Sequence, residues 1–289
     1  MSQRTAATTP KPITRSQITK LIPKRPRDSH KGLFGTVAVI GGKRGMLGAP
    51  LMAARAALKL GAGCVHVGLL DDNAPGVDVL QPELMLHRAS DVLNLPGITV
   101  LAVGCGMGID LAAHKLLYDA LQNSAALVLD ADALNILALR PDFRALLASR
   151  QAATVLTPHP GEAARLLACD IADVQENRHS AAQELRKRFH GSVILKGADS
   201  VCVTRDAKLF INTTGNSGMS AAGMGDVLTG MVAAFIAQGL NADDALLLAV
   251  HLHGAAGDAL AEQQAKIGMT ATEVTDWARW LFNQWAALA

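Results

Sequence analysis

The residues best suited to chemistry lie between Asn212 and Gly230, Asn-Thr-Thr-Gly-Asn-Ser-Gly-Met-Ser-Ala-Ala-Gly-Met-Gly-Asp-Val-Leu-Thr-Gly. Glycines at 215, 218, 223 and 225 allow positive φ and close approach of a ligand to the backbone. An apolar segment of helical length, 227–240, follows, so a helix is predicted from Asp226 onward. The first turn of such a helix exposes unpaired N–H groups and the positive end of a dipole, a setting that suits phosphate. Asp226 at that turn would stand beside the phosphate and could take a proton from a hydroxyl attacking it. The competing reading makes Asp226 an N-cap, for which Asp is a preferred residue. A cap needs only one Asp, whereas this loop also carries four glycines and several small residues.

Other candidates fall at the ends of predicted strands. The run 35–40 is a buried strand, followed by Gly41-Gly-Lys-Arg-Gly-Met-Leu-Gly48 and a helix over about 49–60. This places a ligand site at a strand's carboxyl end, without the Gly-X-Gly-X-X-Gly pattern of a dinucleotide Rossmann fold. Gly104-Cys105-Gly106-Met107-Gly108 repeats the arrangement after the strand 98–103. Asp130 follows the strand 126–129 and suits a water-bound metal ion, and Asp132 suits a cap for a helix from Ala133. In Thr157-Pro-His-Pro-Gly-Glu162 two prolines clamp His159, making it a ligand candidate, and Glu162 suits a cap or a metal bound through water. Lys196, between a buried strand and Gly197, suits contact with a phosphate or nucleotide. His251 and His253, two residues apart on a predicted helix, do not share a face and read as packing residues.

The elements that would position these groups alternate. Strands are predicted at 64–69, 98–103, 126–129, 154–157, 193–195 and 201–204, with 201–211 as a single alternating run. Helices are predicted at 15–21, 112–122, 142–148, 160–168, 173–189, 226–238, 242–264 and from 271 to about 287. Short apolar strands separated by helices predict a parallel sheet covered on both faces, within one domain over 13–289. Residues 1–12, polar and proline-bearing, are expected to be a disordered basic tail.

Half of the 289 residues are apolar and 18% are charged, enough for a large core. The net charge of +2 conceals an asymmetry. Residues 1–31 hold eight Lys or Arg against one Asp, a net of +7, while the remainder holds 19 against 24, a net of −5. A mildly acidic body argues against nucleic-acid binding. No apolar run is long enough to span a membrane, and no secretory signal is present. The cysteines at 64, 105, 169 and 202 lack metal-ligand spacing and read as reduced, mostly buried thiols, so a cytoplasmic setting is expected.

Together, Ser29-His-Lys-Gly32, the glycine run 41–48 with Ala49, Thr157-Pro-His-Pro-Gly-Glu162 and Gly215-Asn216 through Asp226 resemble the ADP-dependent NAD(P)H-hydrate dehydratase family. The resemblance spans nearly the whole chain from Ile13 and points to the standalone form, without the epimerase domain to which this enzyme is often fused. It implies a ribokinase-like three-layer α/β/α fold with a mostly parallel central sheet. It further implies that ADP phosphorylates the C6 hydroxyl of hydrated NADH or NADPH, whereupon phosphate leaves and NAD(P)H is restored, with Mg²⁺ bridging the phosphates. Asp226 would be the base, and Gly223, Met224 and Gly225 would supply the anion hole. The nucleotide would touch Lys196, Gly197, Ala198, Asp199 and Ser200, then Asn216, Ser217, Gly218, Met219, Ser220, Ala221, Ala222 and Gly225. The hydrate would touch Ala49, Ala53, Gly106, Gly108, His159 and Asp226, and Asp130 and Glu162 would hold the metal through water. The family also implies a homotetramer. Two rival readings are a vitamin-precursor kinase of the same fold and a nucleotide-binding module without catalysis.

Overall fold

The computed structural model describes residues 9–288. Ten strands form one sheet: β1 Lys11–Pro12, β2 Thr36–Gly41, β3 Cys64–Leu69, β4 Met85–Arg88, β5 Val100–Val103, β6 Ala126–Leu129, β7 Thr154–Leu156, β8 Ser192–Leu195, β9 Ser200–Val203 and β10 Leu209–Asn212. Their spatial order is β1-β10-β9-β8-β7-β6-β5-β2-β3-β4. Every pairing is parallel except those that β9 makes with β8 and β10.

Between and after the strands run α1 Arg15–Ile18, α2 Gly48–Lys59, α3 Ala89–Val92, α4 Leu111–Gln122, α5 Ala131–Leu139, α6 Pro141–Ala148, α7 Pro160–Leu167, α8 Ile171–Glu176, α9 Arg178–Phe189, α10 Met224–Ala237, α11 Ala242–Gln263 and α12 Ala271–Ala286. Strand β2 shows why the apolar runs form central strands. Val37 and Val39 face a core shared with α2, α10, α11 and α12, while Ala38 and Ile40 face a second core under α3 to α9. Both sheet faces are therefore dry, which is the three-layer α/β/α arrangement expected.

Most boundaries shift by a residue or two from the sequence reading, and three differences are larger. The run 201–211 is a hairpin, because Thr204 to Lys208 turn through Ala207 at a φ of 67°. The helix predicted over 173–189 breaks at Asn177, whose φ of −126° and ψ of 49° end α8. Next to the break, Arg178 donates to the carbonyls of Leu195 and Lys196 at 3.1 and 3.3 Å and anchors the end of β8. The predicted tail is shorter than expected, since Lys11 and Pro12 pair with β10 and Ile13 N–H donates to Ile211 O at 2.9 Å. Of the remaining tail, residues 1–8 lie outside the described residues. No helix among the described residues is long and apolar enough to cross a membrane.

Candidate active site

The parallel strands end at one edge of the sheet, and the predicted groups gather there. Helix α10 begins at Met224 rather than Asp226, with Gly223 as its N-cap at a φ of 88°. A side chain at 223 would have its Cβ 2.5 Å from Met52 Sδ as well as a left-handed backbone, so this position favours glycine. Asp226 is therefore the third helical residue and caps nothing, which removes the N-cap reading. Its carboxylate lies within 4.8 Å of the Cys105 thiol, and burial pushes its pKa up to about 6. The Asp130 charge adds to that rise, while Cys105 and Lys196 oppose it.

Asp130 lies at the end of β6 and is 1% exposed. Lys196 Nζ donates to its Oδ1 at 2.6 Å, and Thr229 Oγ, one turn beyond Asp226, donates to Oδ2 at 2.9 Å. Burial alone would raise its pKa, but the ammonium and the hydrogen bonds hold it below the usual carboxylate range. Glu162, in the first turn of α7, shows the reverse: burial raises it to about 7 even with Lys196 Nζ 3.9 Å away. His159 caps α7, its Nδ1 accepting from Gly161 N–H at 3.0 Å and Glu162 N–H at 3.3 Å. Glu162 accepts in return from His159 N–H at 2.8 Å, completing a capping box. Because Nδ1 accepts, the proton of the neutral imidazole sits on Nε2, 3.2 Å from Glu162 Oε1. Burial and Lys196 lower the His159 pKa and favour this neutral form.

A cleft of about 780 Å³ opens above this cluster. It is lined by Lys196 to Ser200, by Asn212 to Ser217, by Met219 and Ser220, and by Met224, Gly225 and Asp226, with His159, Glu162 and Asp130 on one wall. The nucleotide segments predicted from sequence are thus brought together. Gly218, Ala221 and Ala222 belong to the same loop but do not line the cleft, and the Met224 side chain turns into the core. The loop rests on α11: Asp258 accepts from Gly215 N–H at 2.8 Å and from Asn216 Nδ2 at 3.0 Å.

Beyond Cys105, the buried Gly106 packs against the loop that precedes α2 and against Ala49: a Cβ on it would lie 2.8 Å from Met46 Cβ and 3.3 Å from Ala49 Cβ. Gly106 O accepts from Lys43 N–H at 2.7 Å, joining the two glycine turns. Gly108 N–H donates to Asp132 at 2.7 Å, so Asp132 braces this turn and is not the predicted helix cap. Ala53 must be removed from the substrate-contacting set. It is wholly buried, and its backbone packs on Gly230 where α2 crosses α10 so closely that no side chain fits. The cysteine reading also changes in part: Cys105 and Cys202 are buried, Cys64 is partly so, and Cys169 is exposed.

Thr229, Cys105 and the α11 wall escaped the sequence reading. Thr229 follows Asp226 by three positions and shares its helix face, a spacing that could have flagged it. Cys105 is marked only as part of the 104–108 turn, not as a neighbour of Asp226, and nothing local marks His253 as lining the cleft.

A glycine turn, a helix N-terminus and an uncommitted carboxylate at the carboxyl edge of a parallel sheet define an α/β enzyme that handles phosphoryl groups. Comparison with known proteins then gives the family: the chain belongs to the NAD(P)H-hydrate dehydratases, whose family model matches residues 37–279. It is 41% identical over 264 residues to the ADP-dependent (S)-NAD(P)H-hydrate dehydratase of Neisseria meningitidis serogroup B, covering 90% of this chain and 89% of that one. It spans about half the length of other curated relatives, which are named as bifunctional repair enzymes. Among solved structures, the ADP/ATP-dependent NAD(P)H-hydrate dehydratase from Bacillus subtilis, co-crystallised with ATP/Mg²⁺, is similar at a TM-score of 0.88 and 27% identity, over 97% of this chain and 100% of that one. A ribokinase-like superfamily protein from Enterococcus faecalis V583 follows at 0.84 and 26%, covering 99% of each chain. The ribokinase-like fold expected from the motifs is the one found.

Proposed function

We propose that this chain carries out ADP-dependent dehydration of hydrated NADH or NADPH, with Asp226 as the base. The observation that carries this reading is the position of Asp226. It caps no helix, has a raised pKa, and lines the cleft at the start of α10.

ADP would occupy the cleft with its β-phosphoryl group at the start of α10. The amides of Met224 and Gly225 and the Lys196 ammonium would face the charge that builds on that group. The hydrate would lie against Ala49 and the 106–108 turn with its C6 hydroxyl at Asp226. Asp226 takes the hydroxyl proton as the oxygen bonds to the β-phosphorus, and the bond from that phosphorus to the bridging oxygen breaks to release AMP. The lone pair on the ring nitrogen then expels phosphate from C6, and loss of a C5 proton restores the double bond. A base with a pKa near 6 is largely ionised at neutral pH and is still basic enough to accept the proton.

The residues present suit Mg²⁺ as an outer-sphere partner. Both Asp130 oxygens already accept hydrogen bonds, Glu162 is engaged in the capping box, and the Cys105 thiol is a poor ligand for so hard an ion. Asp130 and Glu162 would hold it through water, and it would supply charge neutralisation on the phosphates. A cytoplasmic setting, a homotetramer and independence from nucleic acid complete the reading.

Product analysis by phosphorus NMR after incubation with NADH hydrate, ADP and Mg²⁺ tests it. Free phosphate, AMP and NADH in equal amounts are expected. Phosphate retained on an organic product would instead identify a kinase.

A further inference from the structure

Helix α11 presents one stripe to the loop and cleft, made of Val250, His253, Gly254, Gly257 and Asp258. This spacing of three and four residues is one helical face. Gly254 packs on Thr214, Gly257 packs on Met219, and Asp258 holds the loop through Gly215 and Asn216. His253 is the exception. It is 8% exposed and lines the cleft beside Leu228 and Val250, yet its Nε2 is sealed from solvent and has no hydrogen-bond partner among the described residues.

An imidazole nitrogen buried without a partner costs stability, and the cleft residues Leu228 and Val250 beside which it stands are apolar. A histidine that served only packing would carry that cost for no return. We infer that His253 is a recognition residue for the nucleoside half of the phosphoryl donor, hydrogen-bonding the base or the ribose at the floor of the cleft. This rests on the function proposed above and extends it to a residue outside the glycine loop. The phosphate end of the cleft already has its own donors in the amides of Met224 and Gly225 and in Lys196. Leu228 and Val250 offer instead an apolar wall of the kind that a heteroaromatic ring covers. Burial, with Lys196 assisting, depresses the His253 pKa to about 4. The ring is thus neutral at working pH and suited to an uncharged partner rather than to phosphate. The ring lines the cleft, and a flip that exchanges Nε2 with Cε1 is the rearrangement by which the sealed nitrogen would reach a ligand there.

The test is calorimetric titration of the full chain, as wild type, His253→Leu and His253→Gln, with AMP, ADP and pyrophosphate in Mg²⁺ buffer, alongside Tm measurements without ligand. His253→Leu should weaken AMP and ADP by a common factor of about tenfold, as expected for one lost hydrogen bond. It should leave pyrophosphate unchanged and the ligand-free Tm equal or higher, while His253→Gln retains most of the affinity. AMP and ADP affinities within twofold of wild type in His253→Leu, or a lowered Tm with unchanged binding, would assign His253 to packing and overturn the inference. Absence of nucleotide binding by the wild type would overturn the proposed function itself, a different and recognisable result.

Discussion

Helices α7 and α10 both begin at the edge of the site, and each carries a carboxylate at its third position. On α7 that residue is Glu162, which accepts from the His159 backbone while the His159 side chain accepts from α7 amides. On α10 it is Asp226, and the capping position ahead of it is Gly223, which has no side chain to engage the helix. The same local chemistry yields a helix cap in one case and a free base in the other. What separates them is the cap residue: histidine closes the amides of α7, and glycine leaves those of α10 open to a ligand. Lys196 lies between the two, bonded to Asp130 and near Glu162, and lowers the pKa of both flanking acids.

The largest expected effect comes from removing the free carboxylate. Asp226→Asn should reduce turnover by about 10³-fold or more, in the range of a lost general base, with ADP affinity nearly intact by calorimetry. Stability should move the other way. The folded pKa near 6 lies above the ordinary 3.8, so between these values the folded state holds a proton that the unfolded chain does not. Wild-type stability therefore falls as pH rises through that window, and Asp226→Asn avoids the loss. Its Tm should exceed that of wild type above pH 6, and the gap should close at about pH 4. The same titration should make the wild-type rate fall as pH drops through 6.

Next comes Lys196→Met, which strands the buried Asp130 charge. A stability loss of about 3–5 kcal/mol is expected by denaturant titration, as when one partner of a buried pair is removed. In protein that remains folded, the acid limb of the rate profile should move to higher pH, because Lys196 lowers the pKa of Asp226. Gly223→Ala should cost about 1–3 kcal/mol through its left-handed backbone, with a fall in rate as Met52 is displaced from the loop. The smallest effect closes the comparison. Glu162→Ala should cost about 1 kcal/mol by thermal melting, as a lost cap does, and should reduce turnover far less than Asp226→Asn.

Much of this could be read before the structure, for a physical reason. Strands β3 and β6 match their predicted limits because an apolar run bounded by glycine or polar residues has few other ways to be buried. The Asn216–Asp226 loop was legible because its composition serves no packing purpose. Side-chain commitments were not legible. Sequence offers capping as one reading of both Asp132 and Asp226, and only the crossing of chain segments sends Asp132 to Gly108 N–H and leaves Asp226 without a capping bond. Ala53 failed for a related reason: proximity to a motif along the chain does not say which face of α2 a residue occupies. His251 and His253 read as packing residues because, two positions apart, they do not share a helix face, and that spacing does not show that His253 lines the cleft.

The most direct test of the account follows the absorbance of reduced nicotinamide when NADH hydrate, ADP and Mg²⁺ are mixed with wild type and, in parallel, with Asp226→Asn. The account predicts a rise with wild type that requires the nucleotide, and a flat trace with a variant that still binds ADP. Comparable rises from both proteins would contradict the role of Asp226, and a flat trace from folded wild type would contradict the dehydratase reading.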